Sequence, residues 1–380
     1  ETSLSGNYLA SRTAGRNRDT VEAADFLVAA LKQDPNNPVL TERLFQLQLT
    51  NGNTAEAEKL ADKVLAFNSQ QRMARLVLGL RDFRQKKYEA ARKNFAEAAY
   101  TPVGELTSAL LAAWSYAGEG SFQAAMNELN KLDRNDTFAN FKSLHSALIA
   151  DFLNNALRAE PAYRKAYNDA GTSLRVTQSY GNYLLRTGKR AEAEKVFSAF
   201  LANGESNVMV AKALEEAKAG KVPEPFIGSA SAGAAEAMFS LAAAMNDDQS
   251  MDVALIYAQL ALSLDSDRPV VLTLLGDILA SSQRYEQAID TFEQVPVTSV
   301  LRTNADTEIA INLQRLNRDK DAETRMRAIL SREPKNIDTW TTLGNLLRST
   351  ENYGEAVKAY DEAINLLKAE NRDVWTVHYY

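Results

Sequence analysis

Residues 340–367 read WTTLGNLLRSTENYGEAVKAYDEAINLL: a small residue, Gly344, then a turn-forming run, Glu351-Asn352-Tyr353-Gly354, then Ala356 and, four residues on, Tyr360. Apolar residues recur at a 3.6-residue period on both sides of the run, so the stretch predicts a helix, a tight turn and a second helix. The pattern is not local. Steps of 34 residues back from Ala356 land on Ala322, Ala288 and Ala254, and after one interruption on Ala193, Ala159, Ala125, Ala91, Ala57 and Ala23. Twelve residues before these stand Gly344, Ala310, Gly276, Ala242, Gly181, Ala147, Ala113, Gly79, Phe45 and Ser11, nearly all small. Four residues after them stand mostly large apolar residues, among them Tyr360, Met326, Phe292, Phe197, Tyr163, Leu129 and Phe95. A small site lets two helix backbones approach and a large side chain fills the space beside it, so each pair buries its faces only by stacking on neighbours. Phe45 with Ala61 breaks this order, which predicts a local exchange of large and small.

The period divides the chain into an N-terminal array of six units over residues 1–207, an interrupting helix and Pro/Gly/Ser linker over 208–234, a C-terminal array of four units over 235–370, and the start of a further, truncated unit at 371–380. Inside the interruption, Asn207 to Ala219 reads as one helix, and Pro223 and Pro225 forbid another immediately after it. Two readings stay open for that linker. It is a connector against a neighbouring helix, or Pro225-Phe226-Ile227 occupies a peptide groove of the same chain. The aromatic stretch DVWTVHYY, residues 373–380, is the reverse of the polar cap a solenoid needs, which predicts further repeats beyond it.

The pattern resembles the tetratricopeptide repeat, whose consensus Trp340, Leu343, Gly344, Leu347, Ala356, Tyr360 and Ala363 match nearly throughout. The resemblance spans almost the whole chain. It implies an all-α, right-handed superhelical solenoid of helix-turn-helix units, with first helices lining a concave face that binds extended or helical peptides. A lesser resemblance, in SLSGNYLASRTAG at the start, AAEAMFSLA after the interruption and the lack of Cys, is to envelope-associated tetratricopeptide-repeat proteins of alphaproteobacteria. That one implies a periplasmic or envelope location and a role in envelope assembly or maintenance, with the cytoplasm as the alternative.

Chemistry finds little support in the residues. With 43 basic against 49 acidic residues, a net charge of −6, there is no broad basic field for nucleic acid, and contact with a membrane would be indirect or through a removed N-terminal segment. Absence of Cys removes disulfides and thiolate chemistry together. The two histidines, His145 and His378, stand in distant units, and no phosphate loop, HExxH or GxSxG occurs. Asp247-Asp248 and Asp265 with Asp267 read as caps of the helices that follow them. The chain therefore reads as a non-catalytic protein-interaction scaffold with no cofactor and no metal. The alternative is the targeting half of an enzyme whose catalytic domain lies beyond residue 380.

Candidate partner-binding residues follow from the first helices. In units three to five, Met73, Leu76, Leu80, Phe83, Leu110, Trp114, Phe141, Leu144, Leu148 and Phe152 form an apolar, aromatic stripe. It reads either as a docking groove or as helix-to-helix core. The corresponding positions after the interruption are polar, and Asp277, Asn304, Glu308, Asn345 and Arg348 form a second candidate groove. The Lys/Asn/Arg clamp by which some members of the family hold a C-terminal carboxylate is not matched, since Gln178 and Thr341 stand where Lys is needed beside Asn182 and Asn345.

Overall fold

The structure, a computed structural model, describes residues 3–170, 173–203, 207–245 and 250–369. Among the described residues there are twenty-one α-helices, two short 3-10 turns and no strand. Ten helix pairs and one single helix follow the 34-residue period: α1 (Leu4–Arg16) with α2 (Thr20–Gln33), α3 (Pro38–Thr50) with α4 (Thr54–Phe67), α5 (Arg72–Arg84) with α6 (Tyr88–Glu97) and α7 (Pro102–Gly118) with α8 (Phe122–Asn130). Then come α9 (Ala139–Phe152) with α10 (Ala156–Ala170), α11 (Leu174–Arg186) with α12 (Arg190–Ala202), the single α13 (Val208–Lys218), and α14 (Ala230–Ala244) with α15 (Met251–Leu264). The last three pairs are α16 (Pro269–Ser281) with α17 (Tyr285–Glu293), α18 (Arg302–Arg315) with α19 (Asp319–Arg332) and α20 (Ile337–Ser349) with α21 (Tyr353–Ala369).

The helices start where side chains can satisfy free backbone N–H groups. Ser3, Asp19, Asn37, Gln71, Thr101, Ser229 and Asn336 each accept one, and Pro38 and Pro102 occupy first-turn positions that lack a donor partner anyway. Within a pair, the turn needs one residue in the left-handed region. That residue is Arg18, Gly52, Lys86, Gly120, Asn154, Gly188, Gln283, Asn317 or Glu351, with φ between 54° and 79° throughout. The same 34-residue step that places the alanines therefore also places the turns.

Small and large sites meet as their order predicts. A Cβ on Gly79, Gly181, Gly276 or Gly344 would run into the ring of Phe95, Phe197, Phe292 or Tyr360, each sixteen residues further on. The exchanged pair, Phe45 and Ala61, is fully buried on both sides. All ten phased alanines are buried as well. The core is thus a row of helix-pair interiors rather than one central cluster.

Contacts divide the chain into two units, at Arg268/Pro269. This division lies one helix pair beyond the 208–234 interruption because of what α14 and α15 do. In the first unit, α1 to α12 stack in chain order and α13 closes on α11 and α12. The next pair does not continue the stack on α13. Instead α14 lies against α7 and α9, and α15 against α3, α4 and α5, elements far earlier in the chain. Composition accounts for this placement. The α14 sequence ASAGAAEAMFSLAAA has no polar face, and α15 carries a single charged residue, Asp252, so both must be covered nearly all round. In the second unit, α16 to α21 form three pairs stacked in order. The irregular link from α17 to α18 is held by Arg302, which donates to the backbone oxygens of Val295 (2.8 Å) and Glu293 (3.2 Å) and to the Asp306 carboxylate (2.7 Å).

Asp265 caps no following helix; it ends α15 and faces Arg268 at 3.6 Å. Asp247, Asp248, His378 and the whole DVWTVHYY stretch lie outside the described residues. No helix among the described residues is long and apolar enough to cross a membrane.

Candidate interaction surfaces

The first helices of units three to five carry the stripe residues, and α14 packs on two of these helices, α7 and α9, and α15 on the third, α5. Leu76, Leu80, Phe83, Leu110, Trp114, Leu144 and Leu148 are buried, and Met73, Phe141 and Phe152 half-buried. The stripe is therefore not an open groove in this structure. Trp114 stacks edge-on with His145 and packs obliquely on Phe152, with ring centroids 6.1 and 5.8 Å apart. Its ring is also the surface on which Gly233 of α14 rests, so closely that a Cβ on Gly233 would lie within it. Further along, the Thr107 and Tyr257 hydroxyls pair at 3.1 Å, Arg84 reaches Ser263 at 3.4 Å, and Gln259 covers Gly52.

The polar side of this contact centres on Glu236, the one charged residue of α14 and wholly buried. The Nε of Arg175 on α11 donates to its Oε1 at 2.7 Å, and Arg268 pairs with its other oxygen. Burial would raise the Glu236 pKa; Arg175 and Arg268 outweigh that and hold it near 2. Arg175 is also flanked by two rings, Phe239 of α14 at 5.3 Å and Phe226 of the linker at 4.7 Å. Beside this cluster His145 is fully buried, and its Nδ1 accepts the Trp114 indole N–H at 3.0 Å. Burial lowers its pKa to about 4 against the upward pull of Glu236, so it is neutral at pH 7. His145 is thus a neutral, buried group positioned by Trp114.

The linker lies along the face of α11. Asn182 donates to the Glu224 backbone oxygen at 2.8 Å, Ile227 is buried, and Phe226 lines a cavity with Gln178, Asn182 and Leu185. The segment thus connects α13 to α14 by way of the α11 face.

In the second unit the corresponding face stays open. Asp277, Asn304 and Arg348 are exposed, and Glu308 and Asn345 half-buried. Asn345 accepts from the Tyr360 hydroxyl at 2.8 Å, which joins the two helices of its pair. Although Asp277 keeps contact with solvent, the protein packed around its carboxyl and the like charge of Glu308 push its pKa up to about 7; desolvation raises Glu308 as well. The face therefore gains negative charge as pH rises through neutrality.

What sequence reasoning missed is the cis occupant. The signal was present in α14, where fifteen residues include one charge and no polar stripe. Such a helix cannot be the outer member of a stacked pair.

Tetratricopeptide-repeat family models match residues 16–78 and residues 270–295 and 337–366. With the helix pairs between and around them in the same phase, the chain is a tetratricopeptide-repeat protein, an all-α solenoid of helix-turn-helix units. Among solved structures, it is similar to MamA, at 15% identity over 50% of this chain and 96% of that one with a TM-score of 0.33. MamA from Desulfovibrio magneticus RS-1 shows 12% identity over 51% and 95%, TM-score 0.33. YrrB, described as a tetratricopeptide-repeat protein with an unusual peptide-binding site, shows 17% identity over 55% and 93%, TM-score 0.32. A comparison with curated proteins found no match.

Proposed function

We propose that the protein is a non-catalytic interaction scaffold that docks a helix or peptide segment of a partner protein on its first-helix faces, in assembly or maintenance of the cell envelope. The observation that carries this reading is the first unit's own inner face, which grips a helix pair through residue-specific contacts: Gly233 on Trp114, Glu236 between two arginines, Tyr257 on Thr107. A surface with that much side-chain definition is built to recognise helices. The stripe residues serve as the floor of that seat. The open polar face of Asp277, Asn304, Glu308, Asn345 and Arg348 is the surface on which a second partner segment docks directly.

Cross-linking with mass spectrometry on the full chain, in extract of its native organism, tests the reading. The native chain should yield partner cross-links on the first-helix faces, and Asn304→Arg/Glu308→Arg should lose those on the open face. Partner cross-links confined to second helices, unchanged in the variant, would contradict it. The envelope assignment rests on the sequence resemblance and is tested by fractionation: release of the tagged protein by osmotic shock supports it, and recovery solely with cytoplasmic markers refutes it.

A further inference from the structure

In a repeat solenoid each unit touches its sequence neighbours. The α14–α15 pair breaks that rule: it leaves α13 and sits on α3, α5, α7 and α9, where a bound ligand would sit. Its entry is a non-helical linker containing Pro223 and Pro225 that itself lies across α11. The contact also differs from an ordinary core in its chemistry. It buries the Arg175–Glu236–Arg268 cluster. His145 of α9, whose Nδ1 holds the Trp114 indole, lies beside this cluster and is buried with it.

We propose that the face formed by α7, α9 and α11 is a receptor for an Ala/Gly-rich helix bearing one carboxylate, that α14 is its resident occupant, and that a partner helix of the same chemistry binds by displacing α14. The occupant displays what the receptor selects. Gly233 is small enough for the Trp114 face, Glu236 one turn on meets Arg175, and Phe239 a further turn on packs beside the same guanidinium. A partner would present small, acidic and aromatic residues at the same three-residue steps. Because α14 is tethered, it competes at high effective concentration, so the native chain captures a partner only when the partner's helix is the better fit or α14 is weakened. This inference rests on the scaffold reading and specifies the partner for one of its two faces.

The test uses the full chain and a labelled synthetic peptide of residues 229–264 as the probe, with binding read by fluorescence anisotropy. Glu236→Lys in the chain places a cation against Arg175 and Arg268 and opens the receptor, and circular dichroism confirms that the rest stays helical. If that variant does not fold, Glu236→Gln, which keeps the shape and removes the charge, takes its place. The open chain should bind the native peptide about tenfold or more tightly than the native chain does. Binding should be lost when the peptide itself carries Glu236→Lys, or when Arg175→Glu is added to the chain. Equal affinity of the folded native and opened chains for the peptide, whether weak or strong, would overturn the proposal and make α14 a fixed part of the core. Partner cross-links on the open polar face are scored independently, so such a result leaves the scaffold reading standing.

Discussion

A methyl group at Gly344 would lie within the Tyr360 ring, and the aromatic ring is hemmed in by its own helix pair. Gly344→Ala therefore gains helix propensity yet forces the pair apart, and the net cost should be about 1–3 kcal/mol in a denaturant titration. Lys86 makes the opposite case. It is an exposed turn residue at φ 59°, where a side chain costs about 1 kcal/mol and glycine costs little. Lys86→Gly should raise the melting temperature, as Gly52, Gly120 and Gly188 show the turn accepts glycine. His145 gives a pH signature. Its pKa falls from 6.5 to about 4 on folding, so the unfolded chain binds the proton more readily and stability declines as pH drops from about 6.5 to 4. The decline should amount to roughly 3 kcal/mol, complete near pH 4, with no further loss from this group below. Glu236, also depressed, adds its own loss between about pH 4.5 and 2. In His145→Gln, which still offers Trp114 an acceptor, the first of these two losses should vanish from the pH dependence of the unfolding free energy. At this scale the sequence was highly legible: alanines, glycines and their aromatic partners fall on the 34-residue step because each obeys a local steric rule.

At the scale of helices, boundaries were legible to within a few residues, since turns and caps are also local. The interrupting helix read as Asn207 to Ala219 spans Val208–Lys218. The destination of α14 and α15 was not legible, because a period reports that a pair forms and says nothing about which surface covers it. The same limit applied to the stripe. Trp114, Leu110 and Phe83 look alike whether they await a partner or already hold one, and burial alone separates the cases. Removing the occupant should make the difference measurable. A chain ending at Ser229 leaves the stripe uncovered, and a chain ending at Arg268 keeps it seated. The shorter chain should bind a hydrophobic dye strongly and self-associate at micromolar concentration, and the longer one should do neither. Equal dye binding by both would mean that the stripe closes on itself without α14.

Over the whole molecule, the two units obey one repeat rule and put it to different use. In the first, twelve helices form a stack whose inner face is filled by its own continuation through an anchored acidic helix; in the second, three pairs leave a polar face exposed. That difference in occupancy, more than any difference in fold, separates the two faces. The seating of the α14–α15 pair on the preceding pairs is directly testable, because the sequence has no cysteine. Thr107 and Tyr257 touch through hydroxyls 3.1 Å apart while lying 150 residues apart in sequence. In a Thr107→Cys/Tyr257→Cys chain, a short bis-maleimide should join the two within one molecule, giving a compact monomer on a denaturing gel and a cross-linked peptide spanning both sites. Absence of that cross-link, or its formation only between molecules, would contradict the account.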